Sequence, residues 1–155
     1  MISKSVSKRL AHQKVKPIRS NKRGKKKTIA GLVEQAAELL QKIRRIESAD
    51  EQGYCACASC GKRAHWKEMQ GGHYIPRGKT ATKLEEHNIN PQCVSCNHFH
   101  KESAKCQYAI WMIETYGYPY VKWLEAESRK EKKWLRVEVE ELIESYKERL
   151  RGLDT

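Results

Sequence analysis

Two Cys-x-x-Cys pairs constrain the fold of this chain more than any other feature. They are Cys57-Ala-Ser-Cys60 and Cys93-Val-Ser-Cys96. Two thiolates three positions apart in a tight turn can bind one ion, and two such turns complete the tetrahedral Cys₄ set of closed structural zinc sites. The sequence therefore predicts one structural Zn²⁺ bound by Cys57, Cys60, Cys93 and Cys96.

The remaining cysteines leave one alternative open. Cys55 makes a local CxCxxC and could replace Cys57 as a ligand, although the paired CxxC spacing favours Cys57. Cys55 and Cys106 are then predicted to be free thiols. No apolar segment at the N-terminus resembles a signal peptide, and no apolar run is long enough to cross a membrane, so reduced, metal-binding thiols are expected rather than disulfides.

The positive charge is concentrated at the N-terminus. The 155 residues carry a formal net charge of +12, from 31 Lys and Arg against 19 Asp and Glu. Eleven of the bases and no acid lie in residues 1–28. A tract so basic and so poor in apolar residues is predicted to be disordered when free and to bind nucleic acid without sequence preference. An anionic membrane or a merely solubilising role is the weaker alternative.

Apolar residues recur at helical spacing on both sides of a central segment that lacks this pattern. Apolar residues recur at helical spacing from about 29 to 50, with Thr28 as N-cap and Gly53 as the stop. The following forty or so residues are rich in Gly, His, Cys, Asn and Pro, which favours short strands and loops. Helices are predicted again from about Ser95 to Tyr116, over about 120–129, and over an apolar stripe that starts at Leu135 and ends before Gly152.

The insertion between the cysteine pairs carries further polar residues. The 32 residues between Cys60 and Cys93 exceed the spacing of a simple zinc ribbon. They contain Gly72-His73-Tyr74 and Asn88, and Asn97 follows the last cysteine directly. CxxCG, then GHY, then NIxxQCxxCN resembles the NinG/Rap recombination endonucleases of lambdoid phages, a zinc-bound variant of the HNH, ββα-metal or His-Me finger nucleases. The resemblance covers roughly residues 54–104.

The resemblance implies a role for each of four polar residues. His73 matches the general base of these nucleases, and Asn88 matches a residue that braces the loop. Asn97 matches the position of a ligand to a catalytic Mg²⁺ or Mn²⁺. His100 is one helical turn further on and could be a second ligand or contact the phosphate. Without the resemblance, His73 could be a packed strand residue and Asn97 a helix N-cap.

One position departs from the family pattern. HNH enzymes commonly have a metal-binding Asp just before the base histidine, and here that position is Gly72. The catalytic ion would then be bound by Asn97 with water and substrate phosphate, or by Asn97 together with His100 or another side chain.

The predicted fold is α+β: a zinc-stapled ββα-metal (HNH-like) finger at about 54–117, embedded among α-helices in a single domain of residues 29–155. C-terminal helices span about 120–151, and a disordered basic arm, residues 1–28, precedes the domain. Predicted contacts to nucleic acid are Lys22, Arg23, Lys25, Lys26, Lys27, Arg77, Lys79, Lys83 and Lys101.

The function that the resemblance implies is a divalent-metal-dependent endonuclease. It would cleave branched DNA such as D-loops and Holliday junctions in the cytoplasm of a bacterial host, with a homodimer presenting two sites. The C-terminal apolar stripe is either a surface for this dimerisation or a part of the monomer core. A zinc-stabilised nucleic-acid-binding module without catalysis is the main alternative. A zinc-stabilised protein–protein adaptor is a third.

Deletion of residues 1–27 tests the basic arm. Each phosphate that the arm neutralises releases condensed counterions, so the shortened protein should bind DNA more weakly and with a shallower slope of log K against log salt. Fluorescence anisotropy at several salt concentrations measures both quantities. An unchanged slope would mean that the main electrostatic contact lies elsewhere.

Overall fold

A computed structural model describes residues 26–153, apart from the side chain of Lys101. The protein is a mixed α+β chain with two small sheets. Its helices are α1 (Ile29–Glu47), α2 (Lys101–Tyr116), α3 (Tyr118–Glu127) and α4 (Arg136–Leu153). Its strands are β1 (Tyr54–Ala56), β2 (Arg63–His65), β3 (Gln70–His73) and β4 (Ile89–Gln92). Most of the predicted basic arm, including Lys22, Arg23 and Lys25, lies outside the described residues.

Helix α1 begins where the sequence predicts. The Thr28 hydroxyl accepts a hydrogen bond from the Gly31 N–H at 3.1 Å, which satisfies one of the free donors of the first turn. The apolar stripe of α1 packs against α4, and α1 also crosses β3 and β4. At the far end, Arg149 of α4 forms ion pairs with Glu47 and with Glu86. The helices that flank the sheets in sequence are therefore neighbours in space.

Both predicted glycine stops are wrong. Helix α1 ends at Glu47, where the Ser48 hydroxyl donates to the Arg44 carbonyl at 2.6 Å. Gly53 lies in the following turn with a φ of 84°, a left-handed conformation that favours glycine. Helix α4 continues through Gly152 to Leu153. A glycine costs about 1 kcal/mol in a helix, which packing against α1 can offset.

Each sheet is a two-stranded antiparallel ribbon. In the first, Cys55 of β1 is opposite Ala64 of β2. In the second, Gly72 of β3 is opposite Asn90 of β4. After β4 the chain passes through a π-helical turn, Ser95–Phe99, into α2, so two strands are followed by a helix.

The described residues form three apolar clusters rather than one core. The first joins α1 to α4, the second surrounds the cysteines of the CxxC pairs, and the third joins α2 to α3 around Tyr108 and Met112. Most of the C-terminal stripe is buried against α1 within one chain, because Val139 and Ile143 lie in the first cluster, whereas Leu135 at its start is exposed. No helix in the described part of the chain is long and apolar enough to cross a membrane.

Candidate functional site

The four cysteines of the CxxC pairs converge on one point. The sulfurs of Cys57, Cys60, Cys93 and Cys96 all lie within 4.8 Å of one another, and Cys60 Sγ is 3.8 Å from Cys93 Sγ. Four sulfurs placed tetrahedrally about 2.3 Å from one zinc are roughly 3.8 Å apart, far from the disulfide distance of about 2 Å. Cys55 is buried outside this cluster, so the cluster contains Cys57, as the paired spacing predicted.

Local backbone geometry positions the sulfurs. Gly61 follows the first pair with a φ of 72°, and its N–H donates to the Cys57 carbonyl at 2.9 Å. In the second pair the Asn97 N–H donates to the Cys93 carbonyl at 3.0 Å. Burial opposes ionisation of Cys57, but backbone N–H groups aimed at its sulfur outweigh that effect and lower its pKa.

The donor set fits a soft divalent cation. Burial raises the pKa of Cys96, and so do the neighbouring sulfurs, because several thiolates in a small volume repel one another. A bound cation removes this conflict by deprotonating the thiols that ligate it. Four thiolates at this spacing are suited to Zn²⁺, and all four are supplied by this chain.

A cleft of about 410 Å³ adjoins the cysteine cluster. It shares Cys96 with the cluster, so the cleft and the cluster have a common wall. Its lining residues are His73, Tyr74, Pro76, Arg77, Gln92, Cys96, Asn97, Glu102, Lys105 and Tyr108. Two of the predicted catalytic residues, His73 and Asn97, thus meet in one cleft.

A backbone contact determines the tautomer of His73, which ends strand β3. Its Nε2 lies 3.1 Å from the Lys83 carbonyl oxygen. A carbonyl can only accept, so the neutral ring must carry its proton on Nε2. The lone pair is consequently on Nδ1, which makes Nδ1 the basic atom of the ring.

The surroundings of His73 favour the neutral ring. Burial lowers its pKa to about 4, and the positive charges of Arg77 and Lys83 act in the same direction. The hydrogen bond to Lys83 and the Glu34 carboxylate oppose this shift only in part. At neutral pH the His73 ring is therefore uncharged, and its Nδ1 can accept a hydrogen bond.

Asn88 organises the loop between the strands of the second ribbon. It is fully buried, and its Oδ1 accepts from the Ile75 N–H at 2.7 Å. Its Nδ2 donates to the Ile75 carbonyl at 3.2 Å and to the Thr82 carbonyl at 2.9 Å. The loop that Asn88 braces also carries the Lys83 carbonyl that orients His73. Asn88 thus holds this loop through its side-chain hydrogen bonds and is not among the residues that line the cleft.

Asn97 presents an oxygen without a donor. Its Nδ2 donates to Gln70 Oε1 at 2.6 Å, and no group in residues 26–153 donates to its Oδ1. Its N–H is bonded to Cys93 and its position is the π-helical turn, so it is not an N-cap of α2. The amide oxygen is a hard ligand of the type that Mg²⁺ prefers.

Gln92 occupies the space that Gly72 leaves. A Cβ on Gly72 would lie 1.9 Å from Gln92 Oε1, so the close approach of this side chain requires glycine. The Gln92 Nε2 donates to Ser59 Oγ at 2.6 Å, which leaves Oε1 as the free end of the amide. The Gln92 amide oxygen therefore lies against Gly72, and Gln92 and His73 both line the cleft.

The cleft residues that were not predicted from the sequence include Gln92, Glu102 and Lys105. Glu102 is the one acidic residue lining the cleft, and neither it nor Lys105 forms an ion pair within the described residues. Both lie on the first turns of α2. Glu and Lys are common on exposed helix surfaces, so their residue types alone did not mark them as site residues. For Gln92, the Gly-Gly pair in β3 was a signal that another group approaches closely.

The predicted basic residues fall into different environments. Arg77 lines the cleft and bonds Glu34 of α1 at 2.8 Å, and Lys83 pairs with the same carboxylate. Lys79 is exposed on the loop braced by Asn88. Lys26 and Lys27 precede α1, and Lys27 bonds Gln35 at 2.7 Å. The side chain of Lys101 is outside the described residues.

His100 is not among the residues lining this cleft. It is exposed and lines a separate hollow with Ser59, Cys60 and Cys96. The π-helical turn explains the difference, because its extra residue changes the direction of the side chains that follow. The structure thus brings together His73 and Asn97, and places His100 elsewhere.

Fold and site together define a mixed α+β protein with a Cys₄ cluster of the structural zinc type and a polar cleft beside it. The family described as "Bacteriophage Lambda NinG protein" matches residues 2–155, and the chain belongs to this NinG family. It is 30% identical over 100 residues to "Protein ninG" of Salmonella phage P22. That match covers 63% of this chain and 47% of the phage P22 protein, about half its length. No solved structure matches the chain.

Cys93→Ala tests the metal cluster. Zinc binding energy is folding energy in small domains, so the variant should lose zinc and much of its cooperative unfolding transition. Metal analysis of the purified protein and circular dichroism on heating measure the two effects. Cys55→Ser is the matched control, because Cys55 is buried but outside the cluster, and this variant should keep one zinc per chain.

The acid stability of the protein tests the environment of His73. Its folded-state pKa of about 4 is below the unfolded value of 6.5, so acidification protonates the unfolded chain first. This contribution is fully present above pH 6.5 and is lost as the pH falls towards 4. Wild type should lose roughly 2–3 kcal/mol more than His73→Gln over that interval, measured by urea unfolding. Equal losses would show that His73 titrates normally.

Proposed function

We propose that this protein is a metal-dependent endonuclease that hydrolyses phosphodiester bonds in DNA. The observation that supports this most is the meeting of His73 and Asn97 in one cleft that borders the cysteine cluster. Neither residue belongs to the cluster, so a structural zinc and a reactive site can coexist in the same short segment.

His73 is the proposed general base. Its Nδ1 holds the lone pair because Nε2 donates to the Lys83 carbonyl, and its lowered pKa keeps the ring neutral at cellular pH. A neutral imidazole in this state can take a proton from a water molecule as that water attacks phosphorus. The low pKa makes His73 a weak base, so the water must be acidified by another group.

The oxygen atoms that line the cleft are suited to bind a divalent cation. Asn97 Oδ1 has no donor, Gln92 Oε1 is the free end of its amide, and the Glu102 carboxylate has no cation partner among the described residues. Such hard oxygens suit Mg²⁺ or Mn²⁺. When bound, the ion would neutralise charge on the phosphate and lower the pKa of water. The Gln92 amide would act in place of the Asp that Gly72 replaces.

The positive residues around the cleft would position the substrate. Arg77 and Lys105 line the cleft, and Arg77 still has free guanidinium donors beside its bond to Glu34. Branched recombination intermediates are the proposed substrates because of the resemblance described above. The basic arm would add affinity that does not depend on sequence. A homodimer would suit a junction with two scissile strands, on a surface other than the buried stripe of α4.

A zinc-stabilised nucleic-acid-binding module is the second candidate function. The Cys₄ cluster and the net charge of +12 are common to both proposals. They differ in what His73 and Asn97 contribute, because a binding module needs neither a base nor a ligand for a second ion.

Substitution of His73 and Asn97 separates the two functions. His73→Ala and Asn97→Ala should each keep zinc, fold and junction binding, and each should cleave about 10²–10⁴-fold more slowly. Cleavage of labelled linear and four-way DNA with Mg²⁺ or Mn²⁺ provides the rates. Higher metal concentration should partly restore Asn97→Ala, because mass action refills a weakened ion site, but should not restore His73→Ala.

Lys122→Ala is a suitable control, since Lys122 is exposed on α3, is not a predicted contact to nucleic acid and does not line the cleft. If both variants cleave at the wild-type rate, the nuclease assignment fails and the binding module remains. Loss of zinc from Asn97→Ala would show that the two metal sites are not separate.

A further inference from the structure

A second groove of about 310 Å³ lies beside the cleft and shares Arg77 and Asn97 with it. It follows strand β3, which is an edge strand because its sheet has two strands. Two guanidinium groups, those of Arg45 and Arg77, line the groove together with His98, and no acidic residue does, although Arg77 is bonded to Glu34 outside the groove. A groove with this lining suits an anion.

Arg45 is held rigidly at the groove. Its Nη1 donates to the Met69 carbonyl at 2.8 Å, and its Nε donates to the Gln41 carbonyl at 3.1 Å. Nη2 has no acceptor among the described residues, and no carboxylate there neutralises the charge. Lys42, Arg45 and Lys67 lie 5.6–5.9 Å from the ring centroid of Trp66, so the positive charge continues beyond the groove.

Gln41 supplies an independent indication of a ligand. Its Nε2 is buried and has no hydrogen-bond acceptor in the described part of the chain, although such donors are nearly always paired. The side chain lines the groove, and its stem is confined by Gly71, where a Cβ would lie 2.6 Å from Gln41 Cβ. Rotation of the terminal amide, a soft torsion, would turn the donor towards the groove.

We propose that this groove binds a backbone phosphate of nucleic acid, next to the phosphate that enters the His73 cleft. Gln41 Nε2, Arg45 Nη2 and Arg77 are the donors. A phosphodiester fits better than an isolated anion because the groove and the cleft share Arg77 and Asn97, so one strand can pass from one to the other. This inference rests on the proposed function, in which the His73 cleft is the cleavage site. The groove would then determine which phosphate of the strand enters that cleft.

Gln41→Met tests the donor and preserves the volume of the side chain. Removing an unpaired buried donor should leave the melting temperature equal or higher, whereas affinity for four-way DNA should fall about ten-fold or more. Opposite changes in stability and binding are not expected of a residue that only packs. Gln107→Met on exposed α2 is the matched control and should change neither. Binding is measured without chelator, which would remove zinc, and without added Mg²⁺ or Mn²⁺.

A methylphosphonate scan of the DNA identifies the contact. Neutralising one backbone phosphate at a time should reveal a position that weakens wild type, and this position should weaken Gln41→Met by a smaller factor. Such coupling supports the groove even if wild type does not cleave, in which case only the nuclease proposal fails. Cleavage by wild type with an unchanged affinity of Gln41→Met would overturn the groove and leave the nuclease proposal intact.

Inorganic phosphate is the remaining probe. If millimolar phosphate raises the melting temperature of wild type but not of Gln41→Met, and DNA binding is the same in both, the groove binds a free anion and the backbone assignment is wrong. No coupling in the scan, with unchanged affinity for both ligands, would overturn the site altogether.

Discussion

The convergence of four cysteine sulfurs is the constraint on which the other elements depend. A two-stranded ribbon is marginally stable alone, and this chain has two of them. Cys57 and Cys60 follow β1, while Cys93 and Cys96 connect β4 to α2, so one ion would join both ribbons to the helix. Three of these cysteines, Cys57, Cys93 and Cys96, lie in the second apolar cluster, which means that metal binding and burial act at the same place. The cleft beside it inherits its rigidity, because Cys96 and Asn97 are adjacent.

The second constraint is that neighbouring residues lie very close to the backbone of β3. Two consecutive glycines, Gly71 and Gly72, leave the necessary space on the two faces of the strand. Gly71 allows α1 to approach the strand at Gln41, and Gly72 allows the Gln92 side chain to cover the other face of the strand. A side chain at either position would displace one of these partners. The same pair of residues thus connects the helical core to the cleft and makes room for the groove that shares Arg77 with it.

Local chemistry was predictable, whereas long-range placement was not. The CxxC spacing identified Cys57 rather than Cys55, and Thr28 was identified as the N-cap, because both depend on neighbours in the chain. Gln92 lies in the cleft because of the register of β4 against β3, and Glu102 lies there because of the direction of α2. Neither can be predicted from the neighbouring residues in the sequence. The same holds for His100, since one extra residue in a helical turn redirects it. The pKa of His73 depends on burial and on Arg77 and Lys83, so its type and position alone could not indicate a value of about 4.

The pairing of α1 with α4 has a consequence for synthesis of the protein. These helices are separated by most of the described chain, so the part of the apolar face of α1 that α4 covers has no partner until α4 has left the ribosome, although β3 and β4 can pack against α1 earlier. The cysteine segment contains all four of its ligands between residues 57 and 96 and can acquire metal earlier. We therefore expect assembly from the middle outwards, with a nascent chain that binds zinc first and exposes Leu40 and Ile43 to chaperones until translation of α4 ends.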